Sequence, residues 1–517
     1  MNLGIHLTRS AAYWPVAEAL VCGEQRRTFD ELERNCRRLA SALVARGLGR
    51  GAAVGTYADN RAELVEVEFA LYKCGAVRVP VNARLGAEEL AHVLGDAGVR
   101  LLVVDAVHVD TARRAVADAG LDCTVVELGG QYEALLAEGE ADAAVAVDVD
   151  AGDPCVLNFT SGSTGRLKAA VQTQGNRLAN MRKRLMNPDE RPGPGDRYLA
   201  GGPITHASGM TILATLSRGS AVVVLPRWDA GGFLRTVERE RITSAFVVPT
   251  MLTMLLDHPD LHAADLSSLR TIGVGGAPVS PTRLREAVRA FGPIVMQGYG
   301  LGETTSGITV LTRDDVARGA AAATPEDEEL LRSCGRPMFD TEVRVVGDDG
   351  APLPPGEIGE ITARGPDCVR EYFRAPDLTA ETFRGGWVHT GDLGYFRKDG
   401  YLFIVDRVKD MIVSGGFNIY CSEVETALSS HPAVADVCVV GVPDDTWGEA
   451  VKAVVVRRAG ATATEDALVA HCAEHLARIK KPRSVDFVDA LPVNRNGKTD
   501  RKAVRERYWA GAGRRVH

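Results

Sequence analysis

No two of the ten cysteines, scattered from Cys22 to Cys472, are spaced C-x-x-C, which removes both a zinc knuckle and a dithiol redox motif. They read as reduced core or surface thiols. Positive charge is not in excess: the formal net charge is -8, so no extended cationic footprint for nucleic acid is written into the chain. No apolar run reaches the roughly eighteen residues of a membrane span. Met1-Asn2-Leu3-Gly4-Ile5-His6 also lacks the basic and then apolar pattern of a secretory leader. These absences make the cytoplasm the expected location and a small molecule the expected partner.

What is present is a globular composition at 517 residues, too long for one ordinary core and expected to fold as at least two domains. Helical and strand periods alternate from the start. Thr28 and Glu31 form a capping box, after which Leu32, Cys36, Leu39 and Leu43 mark one apolar face. Short β-rich runs follow at Val77–Val81, Leu101–Val104 and Cys123–Val126. This rhythm predicts an α/β fold with largely parallel strands: a large N-terminal domain of layered sheets and helices over residues 1–405. A fresh α+β pattern begins near Asp406-Arg407, with a helix at Ser422–Ser430 and strands near Val437–Val442 and Val451–Val456. Residues 406–517 are therefore expected to form a small separate C-terminal domain.

The apolar strand Val156–Phe159 runs into Thr160-Ser161-Gly162-Ser163-Thr164-Gly165-Arg166-Leu167-Lys168. Glycines let backbone N–H groups approach an anion, hydroxyls add hydrogen bonds, and the lysine adds charge, which is what a phosphate needs. Taken alone, the segment also reads as a flexible surface loop. It is not a Walker A loop, because Gly162 and Gly165 are too close and Ala169 follows Lys168. Gly273-Val274-Gly275-Gly276-Ala277-Pro278 likewise departs from the dinucleotide fingerprint, with Pro278 where Gly or Ala is required.

The loop resembles the T-S-G-[ST]-T-G-x-P-K-G signature of the adenylate-forming superfamily, which includes acyl-CoA synthetases, luciferases and peptide-synthetase adenylation domains. Further resemblances recur in order at Gly275-Gly276-Ala277-Pro278, Gln297–Thr304, Thr390-Gly391-Asp392, Asp406–Asp410 and Pro492–Lys498. The ordered set spans almost the whole chain. It implies ATP-dependent activation of a small acid as an acyl-adenylate, followed by transfer to coenzyme A, with Mg2+ assisting.

The resemblance also implies roles. Thr160 to Gly165 and Lys168 would cradle phosphates. Gly275, Gly276, Ala277 and Pro278, with Gly298, Tyr299 and Gly300, would enclose the adenine, where an aromatic face suits a purine. Glu303 would be the magnesium ligand, a hard oxygen donor beside phosphate. Asp392 and Arg407 would hold the ribose. Lys498 would be the catalytic lysine, bridging the attacking carboxylate and the α-phosphate. Lys409 would be the hinge of a mobile C-terminal domain, and Gly415 and Gly416 would line the thiol tunnel after rotation.

His206 aligns with the residue beside the acyl pocket in acyl- and aryl-CoA ligases and would contact the carboxylate. Phe246–Thr250 and Gly298 would supply an apolar wall. The aspartate that holds an amino group in amino-acid-activating relatives has no counterpart here, so the expected acid is aryl or short-to-medium acyl. Leu167, Ala169, Gly302 and Cys421 depart from the pattern. Gly302 stands where the pattern carries a threonine, and Thr304 or Thr305 is expected to supply a hydroxyl to phosphate in its place. Two alternatives stay open: transfer to a carrier-protein thiol, and activation of a non-carboxylate acid such as nitrite to diazotise an aromatic amine.

Overall fold

The computed structural model describes residues 2–142, 145, 147–161, 167–444, 446–493 and 499–509. The chain divides into two compact units. The first comprises Met1–Val343 with Ala363–His389, and the second Arg344–Thr362 with Thr390–His517. The expected boundary at Asp406 falls inside the strand Leu402–Arg407.

The first unit is built on two mixed sheets. One has six strands in the order Thr124–Glu127, Leu101–Val104, Ala53–Tyr57, Val77–Val81, Pro154–Ser161 and Leu167–Thr173. Its neighbours are parallel except for the last pair, an antiparallel hairpin carrying Lys168 opposite Thr160. The other has nine strands, and its centre is the parallel run Val295–Gly300, Thr271–Gly275, Ser244–Val247, Arg197–Ala200 and Ala221–Val224. The parallel strands expected from the alternating pattern are thus observed, and the run expected at Cys123–Val126 is paired over Thr124–Glu127.

Helices pack on these sheets because their apolar faces require it. Phe29–Ala45 starts at the expected capping box: the Glu31 N–H donates to the Thr28 hydroxyl at 3.2 Å, and the Thr28 N–H donates to the Glu31 carboxylate at 2.8 Å. Such a cap contributes about 1 kcal/mol. Leu32, Cys36, Leu39 and Leu43 are buried beneath it. The helix Ala62–Cys74 is buried on every side, so its polar residues must find partners inside. Glu68 accepts from both Arg78 and Arg177, at 2.8 and 3.0 Å, and from the Tyr72 hydroxyl at 2.7 Å.

In the second unit the long antiparallel strands Val434–Asp444 and Gly448–Arg457 pair with each other, and Ser484–Val488 adds in parallel. The helix Cys421–Ser429 packs on them through Val424, Ala427 and Leu428. Ile412–Ser414 and Phe417–Ile419 form a hairpin whose two turn residues, Gly415 and Gly416, have φ of +59° and +80°. A two-residue turn of that hand needs φ above zero at both positions, which glycine adopts without a steric cost.

Candidate active site

In parallel sheets, loops that leave the carboxyl ends of the strands gather on one edge, where ligands bind. The nine-stranded sheet delivers several of the expected residues there. His206 follows Arg197–Ala200, Phe246 lies near the end of Ser244–Val247 and Pro249 opens the helix after it, Gly276–Pro278 follow Thr271–Gly275, and Tyr299 and Gly300 end Val295–Gly300. Gly275 and Gly298 are directly paired, and the Phe246 ring packs against the backbone of Gly273 and Gly275.

His206 is half-buried, and its Nδ1 lies 2.9 Å from the Thr205 hydroxyl. Its loop is fixed by Asn60, whose amide donates to the carbonyls of Gly202 and Leu225 and accepts from the Ile204 N–H at 2.9 Å. Asn60 has no motif around it in the sequence, and only the fold brings it to this loop.

Lys168 and Glu303 converge, 135 positions apart in sequence, with Nζ 3.9 Å from Oε1. Between them stands Tyr372, a residue that no sequence motif singled out. Lys168 donates to the Tyr372 hydroxyl at 2.6 Å, and that hydroxyl donates to Glu303 Oε1 at 2.6 Å. Burial, reinforced by the negative charge of Glu303, holds the phenol well above its ordinary pKa. It therefore remains a donor at neutral pH.

The segment around Tyr372 is tied to both partners. Val369 N–H donates to the Glu303 carbonyl at 2.9 Å, and the Thr305 hydroxyl donates to the Asp367 carbonyl at 2.5 Å. Asp367 in turn pairs with Lys183 at 2.6 Å, with both side chains buried. Thr305 has a φ of +57°, a strained conformation for a β-branched residue that persists only where the surroundings impose it.

The hydroxyls of Thr304 and Thr305, expected to offset the threonine absent at position 302, are both hydrogen-bonded to main-chain carbonyls in this structure. Thr304 lies against the carbonyls of Leu301 and Ser306, and Thr305 against Asp367. At Gly302 a Cβ would stand 3.0 Å from Asn158 Nδ2 and 3.1 Å from Thr160 Cγ2, so a side chain there requires those two side chains to give way by a few tenths of an ångström. The Thr160 hydroxyl is buried with no hydrogen-bond partner among the described residues, a donor that a phosphate oxygen would satisfy.

Gly162, Ser163, Thr164, Gly165 and Lys498 lie outside the described residues, and Ser161 is described only as the end of its strand. In the second unit, Asp392 is buried and Arg407 faces it across two antiparallel strands, with Nε 3.0 Å from Oδ1. Lys409 follows, and its carbonyl lies 3.5 Å from the Arg505 guanidinium. The Gly415 N–H donates to the Trp447 carbonyl at 2.8 Å, so the 415–416 turn is held against the Trp447 segment. Among the described residues, no helix is long and apolar enough to cross a membrane.

Comparison with known proteins places this arrangement. Residues 7–373 match the family model of AMP-binding enzymes, and residues 423–498 match that of the AMP-binding enzyme C-terminal domain. A feruloyl-CoA synthase of Amycolatopsis is 40% identical over 98% of this chain and 99% of its own length. A medium/long-chain-fatty-acid–CoA ligase of Mycobacterium tuberculosis is 38% identical over 96% and 88%. The solved structure of the amide bond synthetase McbA from Marinactinospora thermotolerans superposes with a TM-score of 0.87 at 31% identity, covering 98% of this chain and all of that one. With a family model spanning well over half its length and relatives alike from end to end, the chain belongs to the AMP-binding enzyme family.

Proposed function

We propose that this protein uses ATP to activate a small carboxylic acid, aryl or short-to-medium acyl, as an acyl-adenylate and then forms its thioester with coenzyme A. The observation that carries this reading is the meeting of Lys168, the cation of the phosphate loop, with Glu303 in a member of this family. In the first step a carboxylate oxygen bonds to the α-phosphorus as the bond to pyrophosphate breaks. In the second the coenzyme sulfur bonds to the acyl carbon, AMP leaves, and the thiol proton passes to solvent.

The roles proposed are those the family resemblance implies, and each suits the chemistry of its residue. Lys168 and the Thr160 hydroxyl hold the polyphosphate, and Tyr299 with the Gly275–Pro278 turn takes the adenine. Asp392, buried beside Arg407, accepts from ribose hydroxyls. His206 meets the carboxylate, and Phe246 supplies the apolar wall. Glu303 offers the hard oxygen that Mg2+ selects, and one carboxylate with substrate phosphates is a usual donor set for that ion. Bound there, magnesium would offset the negative charge of the polyphosphate. Lys498 stabilises the charge shared by the attacking carboxylate and the α-phosphate. The proposed division is residues 1–405 for the ATP and acid site and 406–517 for a mobile part carrying Lys498, with Lys409 as hinge. The proposed location is the cytoplasm.

Pyrophosphate release with ATP and magnesium, measured over aryl, short and medium acids with and without coenzyme A, tests this reading. Release triggered by a carboxylate and accelerated by coenzyme A is expected, and Lys498→Ala should remove it. Undiminished adenylation by Lys498→Ala would overturn the mechanism. The likeness to an amide bond synthetase favours a second reading in which the acceptor differs, an amine or a carrier-protein thiol. Acid-dependent release indifferent to coenzyme A selects that reading, and release with nitrite alone selects a non-carboxylate acid.

A further inference from the structure

We infer that Tyr372 is a positioning residue for the metal and polyphosphate end of ATP, its hydroxyl spacing Lys168 from Glu303 so that they remain two separate ligands. The inference rests on the adenylation reading. A direct lysine–carboxylate hydrogen bond closes to about 2.7–2.9 Å, yet Nζ and Oε1 stand 3.9 Å apart. The phenol fills the difference with a 2.6 Å bond on each side. The ammonium also lies 3.8 Å from the centre of the same ring, within cation–π reach.

Tyr372 is itself held rigidly. It is 3% exposed, and its ring packs on Phe383 with centroids 5.3 Å apart. Its N–H donates to the Thr379 hydroxyl at 3.0 Å. Its segment runs along the strand that carries Lys168, with the Val171 N–H donating to the Glu371 carbonyl and the Phe373 N–H to the Ala169 carbonyl, at 3.1 and 2.8 Å. Val369 reaches the backbone of Glu303. One short segment therefore sets both the cation and the carboxylate, by main chain and by side chain. Removing the hydroxyl takes away the group that stands between the two charges, and as they draw together each competes with the ligand it is meant to receive.

The test is Tyr372→Phe, which keeps the ring, its packing and the cation–π contact and removes one oxygen. Calorimetric titration should show affinity for ATP with magnesium falling about tenfold, while affinity for AMP, which lacks the β- and γ-phosphates, and the thermal midpoint stay unchanged. In a cycle with Glu303→Gln, the double variant should lose no more than the larger single loss, because both act through one contact. Unchanged ATP binding in Tyr372→Phe, an equal fall for AMP, or multiplicative losses in the cycle would each overturn the inference. Failure of the unaltered protein to bind ATP with magnesium would instead remove the adenylation reading, and this inference with it.

Discussion

Asp392 and Arg407 are directly opposed residues on adjacent antiparallel strands, and the guanidinium Nε lies 3.0 Å from the carboxylate Oδ1. The carboxylate is buried and the arginine half-exposed, so the pair presents an oriented acceptor more than a strong ion pair. Asp392→Asn should weaken ATP and AMP binding alike, by about tenfold, since one charge-assisted hydrogen bond to a ribose hydroxyl is worth about 1.5 kcal/mol or more. Parallel titrations of the two nucleotides check this. A loss confined to ATP would place the residue elsewhere.

Lys168→Ala should lower the rate of pyrophosphate release about a hundredfold, the usual loss for one preorganised donor at a site of developing charge. Glu303→Gln should raise the magnesium concentration required for half-maximal rate. A magnesium titration of each variant distinguishes the two roles.

Restoring the threonine found in the family's pattern at position 302 should harm the protein. With Asn158 and Thr160 side-chain atoms at 3.0 and 3.1 Å from the new Cβ, Gly302→Thr makes those side chains give way and costs about 1–3 kcal/mol, as overpacking does. Slower pyrophosphate release and a lower thermal midpoint are expected. A faster enzyme would contradict the steric account.

The buried Lys183–Asp367 pair supports the turn that carries Glu303. Lys183→Met leaves a carboxylate in the interior and should destabilise by about 3–5 kcal/mol. The double change Lys183→Met with Asp367→Leu should recover part of that loss, because no charge is then stranded. Urea unfolding of both variants measures the difference.

His6 is buried near Arg9 and Arg182, and burial first, then those two cations, lowers its pKa from 6.5 to about 4. The folded state therefore binds fewer protons than the unfolded chain as pH falls from 6.5 towards 4, and acid favours unfolding. The stability lost at this one group is about 1–2 kcal/mol by pH 5. Thermal midpoints of the protein and of His6→Gln between pH 7 and pH 5 should converge on acidification.

Features encoded by neighbouring residues were legible in the sequence. The capping box at Thr28 and Glu31 and the apolar strand entering the phosphate loop each follow from spacing within a few positions. Tyr372 was not, because nothing distinguishes its sequence from that of a core tyrosine. Its role arises from partners 204 and 69 positions earlier, brought together by a strand pairing and a strained turn. Asn60 is of the same kind, a polar residue whose three bonds reach 142 to 165 positions along the chain. The strain at Thr305 is equally unreadable, since threonine is an unfavourable choice for that conformation and only packing explains it.

Lys168, proposed to hold phosphate, sits on a hairpin of the six-stranded sheet, whereas His206 and Phe246 lie at or after the ends of strands in the nine-stranded sheet. On the proposed roles the acid wall and the polyphosphate lysine are thus carried by different sheets, while the adenine turn shares the sheet of the acid wall. Exchanging the loops after Arg197–Ala200 and Ser244–Val247 can retune which acid is taken while the hairpin, the Glu303 turn and Tyr372 stay intact. If the proposed roles hold, directed evolution of acid preference in this protein should concentrate its library on those two loops.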